Sequence, residues 1–165
     1  MLKKVGIIMG SSSDAPVMQP AAAALEQMGI GYEFMVVSAH RSPDWMYEYA
    51  RSLEERNVGI IIAGAGGAAH LPGMMAALST VPVIGVPVRS SNSIDGWDSL
   101  LSIVQMPNDV PVATVALNGA HNAAILAAQM LAIADADIKN KLTALKQANK
   151  RKVIEQNQNL NSINK

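Results

Sequence analysis

Val58-Gly59-Ile60-Ile61-Ile62-Ala63 is apolar at every position and runs directly into Gly64-Ala65-Gly66-Gly67-Ala68-Ala69-His70-Leu71-Pro72-Gly73-Met74, a stretch with almost no side-chain bulk. A strand with one wet face alternates apolar and polar residues, whereas a strand that is apolar throughout needs cover on both faces, the pattern of a parallel sheet. Working outward, similar short runs at 4–9, 32–37, 82–86 and 112–116 alternate with helical patterns as far as residue ~134. Alternation of this kind predicts consecutive strand–helix–strand units, hence an α/β domain with helices on both faces of the sheet.

The helices between these strands carry their own start signals. Asp14 is a good N-cap, Pro16 is tolerated in a first turn, and Met18, Ala21, Leu25 and Met28 form an apolar stripe that Gly29 ends. Ser42, Pro43 and Asp44 open a second helix whose Met46, Tyr49, Ala50 and Leu53 share one face. Shorter helices are expected from Pro72 to Leu78 and from Asp98 to Val104, with a surface loop of turn-forming residues from Ser90 to Gly96 before the latter, placed to lie over a site. The segment 120–134 is apolar on nearly every side, so it is expected to be buried, with a neighbouring subunit as one source of cover. Beyond it, Ile138, Leu142 and Leu145 continue a helix whose lysines read as a solvated face, and residues 156–165, rich in Asn and Gln, are expected to be disordered. The resulting division is a single α/β domain over 1–137, a C-terminal helical extension over 138–155 and a tail over 156–165.

Composition bounds the function. At 165 residues the chain is long enough for one domain with a substantial core. Charged residues make up only 16%, below the ~25% of ordinary soluble domains, which suggests surface covered by other subunits. Thirteen basic residues balance thirteen acidic ones, so no broad field draws nucleic acid or an anionic membrane, and neither is expected as a partner. The absence of cysteine removes disulfides, thiolate nucleophiles and thiolate metal sites. Lys3-Lys4-Val5-Gly6-Ile7-Ile8-Met9 reads as a buried first strand rather than a signal peptide, and the expected location is cytoplasmic.

Three turns at the carboxyl ends of predicted strands carry chemistry, and in open parallel sheets that edge is where ligands bind. After the first strand, Gly10-Ser11-Ser12-Ser13-Asp14 offers hydroxyls, backbone amides and a helix start suited to phosphate; it lacks a P-loop lysine, and a plain capped turn explains it as well. After the second, Ser38-Ala39-His40-Arg41 is the whole turn before Ser42, and His40 reads either as a local hydrogen-bonding residue or as a catalytic group. After the third comes the glycine-rich run ending in His70, open to a ligand lying on backbone amides or to close packing. Gly64-x-Gly66-x-x-Ala69 fits a relaxed dinucleotide fingerprint only by accident, since it follows the third strand and no acidic residue ends the next. Two histidines without helical His-Glu spacing argue against a metal, and His121 beside Asn122 reads as structural. Convergence of the three turns is stronger evidence than any one of them.

Taken as a set, Gly10-Ser11-Ser12-Ser13-Asp14, Ser38-Ala39-His40-Arg41-Ser42-Pro43-Asp44, the run Ala63 to Met74, Gly85-Val86-Pro87-Val88 and Asp98-Ser99-Leu100-Leu101-Ser102-Ile103-Val104-Gln105-Met106-Pro107 closely resemble the N5-carboxyaminoimidazole ribonucleotide mutase family of purine biosynthesis, over residues ~4 to 134. The resemblance implies a flavodoxin-like three-layer α/β/α domain, a homo-octamer with active sites at subunit contacts, a small ribonucleotide substrate, and no metal or organic cofactor. It implies His40 as general acid/base, with Ser11, Ser13, Asp14 and Arg41 holding ribose and phosphate. Ser38 and Ala39 would complete that turn, while Ala65, Gly66 and Gly67, with His70 and Leu71, would enclose the migrating carboxylate. Related carboxylases that use free carbon dioxide usually carry lysine at the position of Arg41, so arginine points to the mutase. A rival of another class is a non-catalytic module binding FMN or a phosphoribosyl ligand; with one Phe, three Tyr and two Trp, and neither Trp in the first turn, little is available to stack on a flavin.

Overall fold

The computed structural model describes residues 3–163. Five strands, β1 (Lys4–Met9), β2 (Tyr32–Val36), β3 (Val58–Gly66), β4 (Val83–Val88) and β5 (Ala113–Thr114), form one parallel sheet in the order β2-β1-β3-β4-β5. The helices are α1 (Ala15–Gln27), α2 (Pro43–Arg51), α3 (Leu71–Leu78), α4 (Trp97–Val104), α5 (Ala120–Leu131) and α6 (Ala136–Ile163). A first compact unit ends at Ala127 and a second begins at Ala128, so α5 crosses the division. Among the described residues, no helix is long and apolar enough to cross a membrane.

The apolar runs become strands because the sheet is covered on both faces, and two glycines record how closely. Gly6 in β1 lies under Tyr49 of α2, where an added Cβ would collide with the phenol oxygen. Gly64 in β3 pairs with Met9, which alternation turns to the opposite face from Gly6, and there an added Cβ would strike the sulfur of Met18 in α1. Helices α1 and α2 therefore cover opposite faces. On the α2 side, Met46, Tyr49 and Leu53 pack with Leu71 and Met75 of α3 and Ile103 of α4 over Ile8, Ile61 and Ala63. Ile7, Ile62 and Ile84 are fully buried as well, which is why β1, β3 and β4 show no polar alternation.

Several boundaries differ from the sequence reading. β3 runs past Ala63 to Gly66, since its small residues still pair with Val86, Pro87 and Val88 of β4. β5 is shorter than 112–116 because, as an edge strand, it pairs with β4 only through Ala113 and Thr114. Asp14 and Ser42 occupy N-cap positions without making the cap bond: a short 3-10 turn over Ser12–Asp14 precedes α1, with Ser11 as its cap, and the Ser42 hydroxyl donates to the Ser38 carbonyl. In α5, Ala120, Ala123, Ala124 and Ala127 are fully buried, while Ile125 and Leu126 are only partly covered. The Asp135 carboxylate accepts from the Ile138 amide at 2.9 Å and caps α6. The disorder expected from residue 156 differs from the structure, in which α6 continues to Ile163; no glycine or proline interrupts 136–163, and Asn and Gln weaken a helix without ending it.

Candidate active site

Chain connectivity reverses direction at β1: β2 lies on one side of it and β3 on the other, so the turns after β1 and β3 diverge around a crevice at the carboxyl edge. A cavity of about 330 Å³ opens there. Of the residues predicted for the site, Ser11, Ser13, Asp14, Ser38, Ala39, His40, Arg41, Ala65, Gly66, His70 and Leu71 all line it. Gly67 does not. Its amide donates instead to the buried Ser99 hydroxyl at 2.9 Å. Gly67 has φ of 62°, the left-handed conformation that glycine adopts without penalty, and this bends the chain from β3 into α3.

Arg41 ties the first two turns together. Its Nη2 donates to the Gly10 carbonyl at 2.6 Å, and its backbone N and Nε both donate to the Ser38 Oγ at 3.3 Å. A planar guanidinium held at two of its edges has little freedom left, so its remaining donors face the cavity in a set direction. Ser11 accepts from the Ser13 amide at 3.3 Å and from the Ser13 hydroxyl at 2.9 Å, which closes the first turn on itself. Asp14 is only 5% exposed, and its Oδ2 lies over Gly10. Burial pushes its carboxyl above the ordinary carboxylate range, opposed by a backbone hydrogen bond at Ser11 and by the Arg41 charge.

The second and third turns meet at their histidines. His40 Nε2 lies 2.8 Å from His70 Nδ1, with the rings edge to face and centroids 4.9 Å apart. A hydrogen bond between two ring nitrogens needs one to carry a proton and the other to be bare, so the tautomer of each ring constrains the other. Both side chains are exposed on the cavity wall, and a proton carried by one is within a single bond of the other.

Three further lining residues, Ser90, Ser91 and Asn92, come from the loop after β4, which the sequence marks as able to lie over a site without naming the residues that do so. The loop does lie over the crevice; Cβ atoms at Gly66 and Gly67 would strike Ser90 and Asn92 respectively, so it packs directly on the glycine-rich turn. A larger depression of about 740 Å³ lies at the opposite edge, near the starts of β3 and β4, lined by Lys3, Arg51, Glu54 and Thr80 among others. It contains no histidine and no turn at a strand's carboxyl end, so size alone does not locate the chemistry.

A five-stranded parallel sheet, helices on both faces and a polar crevice at the switch point together define an α/β domain of flavodoxin-like architecture with a small-molecule site. Comparison with known proteins makes the class specific: the family model for AIR carboxylase matches residues 4–152, and the chain belongs to that family. It is 58% identical over 162 residues to N5-carboxyaminoimidazole ribonucleotide mutase of Thermotoga maritima, covering 98% of this chain and 94% of that one. It is also 53% identical over 156 residues to the chloroplastic phosphoribosylaminoimidazole carboxylase of Vigna aconitifolia, covering 94% of this chain and 28% of that longer protein. The crystal structure of Treponema denticola PurE superposes with a TM-score of 0.86 at 27% identity, over 96% of this chain and 98% of that one.

Proposed function

We propose that this protein converts N5-carboxyaminoimidazole ribonucleotide to 4-carboxy-5-aminoimidazole ribonucleotide, with His40 as the group that moves the proton. The observation carrying this reading is the meeting of His40, Arg41 and Asp14 with His70 around one cavity at the switch point of the sheet. The high identity to a mutase along nearly the whole chain supports the same reaction. Carbon dioxide leaves the exocyclic nitrogen, which takes a proton from the His40 imidazolium. Ring carbon C4 then attacks the carbon dioxide, and His40 removes the C4 proton to restore aromaticity. The proton given in the first half returns in the second, so no net proton is consumed and no external oxidant or metal enters the balance. An imidazole suits both halves because its ordinary pKa lies near working pH.

Ser11, Ser13 and Arg41 bind the phosphate end and Asp14 accepts from ribose hydroxyls, while Ala65, Gly66, His70 and Leu71 border the transferred carboxylate. Ser38 and Ala39 fix the turn that presents His40. The reaction takes place in the cytoplasm, in a homo-octamer whose neighbouring subunits close the crevice and retain the carbon dioxide. An exposed apolar stripe on α4, with Trp97 at 65% and Leu101 and Val104 each at 51% exposure, supports assembly through this helix. Sedimentation velocity at micromolar concentration gives eight copies per particle if this holds, and a single-copy species refutes it.

The deciding assay follows formation of the C4-carboxylated product from synthetic substrate in bicarbonate-free buffer, above an enzyme-free blank. Wild type forms product; His40→Asn retains ligand binding and loses ~10²- to 10⁴-fold in kcat, the usual share of general acid–base catalysis. Product formed only from the decarboxylated ribonucleotide at high carbon dioxide assigns the carboxylase reaction instead. Ligand binding without turnover under either condition refutes catalysis and leaves a binding module.

A further inference from the structure

The motif Asp98-Ser99-Leu100 lies outside the cavity lining, yet it contains the side chain to which the glycine-rich turn is anchored. Ser99, in the first turn of α4, is fully buried. Its Oγ accepts from the Gly67 amide at 2.9 Å and donates to the carbonyl of Val88, the last residue of β4, also at 2.9 Å. The Ser93 hydroxyl lies 3.2 Å away but spends its own proton on Asp98 Oδ1 at 2.6 Å, so the single proton of Ser99 remains committed to Val88. Asp98 also accepts from the Ser99 amide at 2.9 Å, and Ser93 accepts from the Gly96 amide at 2.9 Å. The Ser93 bond holds the Asp98 carboxyl below its ordinary range, which keeps this acceptor ionised and the cluster closed.

From these contacts we infer that Ser99 is a positioning residue for the reaction, acting through Gly67 on the His40–His70 pair. The inference rests on the reading of His40 as the acid/base. Gly67 is the one left-handed bend in the turn between β3 and α3, and His70 follows it by three residues at the start of α3. Fixing the Gly67 amide fixes the angle at which that turn leaves β3, and so the distance from His70 Nδ1 to His40 Nε2. Without the hydroxyl, the Gly67 amide and the Val88 carbonyl lose their shared partner in a buried setting, which favours a shifted turn over an empty one. Ribose and phosphate binding, assigned to the first two turns, does not pass through this bond.

The test uses the full-length protein with Ser99→Ala and, because an alanine there has some chance of impairing folding, the nearly isosteric Ser99→Cys, whose thiol bonds weakly. Circular dichroism and sedimentation first establish that each variant has the wild-type fold and assembly. The first readout needs no substrate: ¹⁵N-histidine NMR of the three imidazoles, with His121 on α5 as internal reference. We expect the His40 and His70 ring nitrogens to shift in Ser99→Ala while His121 stays, with a smaller shift in Ser99→Cys. The second readout is kinetic: kcat falls ~10- to 100-fold, the scale of loss when a reacting group is misplaced by up to about 1 Å, with KM for the ribonucleotide within about twofold. Unchanged histidine signals in both variants overturn the inference, as does an equal worsening of kcat and KM. If wild type shows no turnover but the histidine signals still respond to Ser99, the proposed reaction fails and the positioning stands.

Discussion

The two edges of the sheet handle polar groups in opposite ways. Toward the amino edge, Glu33 receives the Arg56 guanidinium through both oxygens, at 3.2 and 2.8 Å, with Lys4 3.9 Å away, and the same Arg56 lies 5.0 Å from the Tyr49 ring centroid. Glu33, Arg56 and Lys4 thus answer one another, and burial drives the Tyr49 phenol far above its ordinary pKa, so it stays neutral. At the carboxyl edge, Asp14 is buried and its carboxyl is raised, two histidines share one bond, and the chain bends through a left-handed glycine. One edge pairs the charges of Glu33, Arg56 and Lys4 with one another, and the other buries a carboxylate whose ionised form is disfavoured beside two histidines that face a cavity.

Breaking the amino edge should therefore affect folding and leave chemistry alone. Gly6→Ala, which drives a methyl into the Tyr49 phenol, is expected to lower unfolding free energy by about 1–3 kcal/mol, read as a shift in urea midpoint, with kcat per folded molecule unchanged. The double variant Gly6→Ala with Tyr49→Phe should recover most of that loss, because the phenol oxygen is the colliding atom and the ring carbon next to it stands at 3.7 Å. Failure to recover would mean that the strand, rather than the phenol, rejects the methyl.

The carboxyl edge should respond in the opposite sense. Because the folded-state pKa of Asp14 lies above its unfolded value, the stability contributed by its protonated form is fully present below the ordinary carboxylate range and is lost as pH rises through the folded value. Near neutrality its ionised form is a net cost. Asp14→Asn is expected to raise Tm by about 2 °C at pH 7, to lose that advantage at pH 3, and to reduce kcat/KM. A Tm that falls at pH 7 would show that Arg41 and the Ser11 backbone outweigh the burial. The smallest effect is expected for Lys4→Gln: the pair is long and Lys4 is half exposed, and Glu33 keeps Arg56, so the urea midpoint should move by less than ~0.5 kcal/mol equivalent.

Much of this was legible in the sequence because it is local. A fully apolar run such as Ile60 to Ala63 has few ways to be satisfied other than as an inner parallel strand, and turns that directly join a strand end to a helix start must lie at the carboxyl edge. The three turns of the crevice were found on that ground, and His40 with them. The loop after β4 was legible as one able to cover a site, but which of its residues do so, and the buried contact of Ser99, depend on where α4 docks, which no periodicity encodes. Gly67 was placed among the ligand-facing amides by its neighbours; whether an amide points into a cavity or toward a buried hydroxyl is decided by a residue 32 positions away. The continuation of α6 past residue 155 was missed for a different reason: polar composition lowers confidence in a helix without supplying a residue that stops it.

The Gly67–Ser99 bond also orders events during synthesis. A nascent chain that has emerged only as far as Val88 already contains four of the five strands and all three turns that contribute predicted site residues. It lacks the hydroxyl that fixes the third turn. The sheet can pair from its amino-terminal units onward, yet the crevice becomes complete only when α4 docks, so competence arrives later in the birth of the molecule than compactness does.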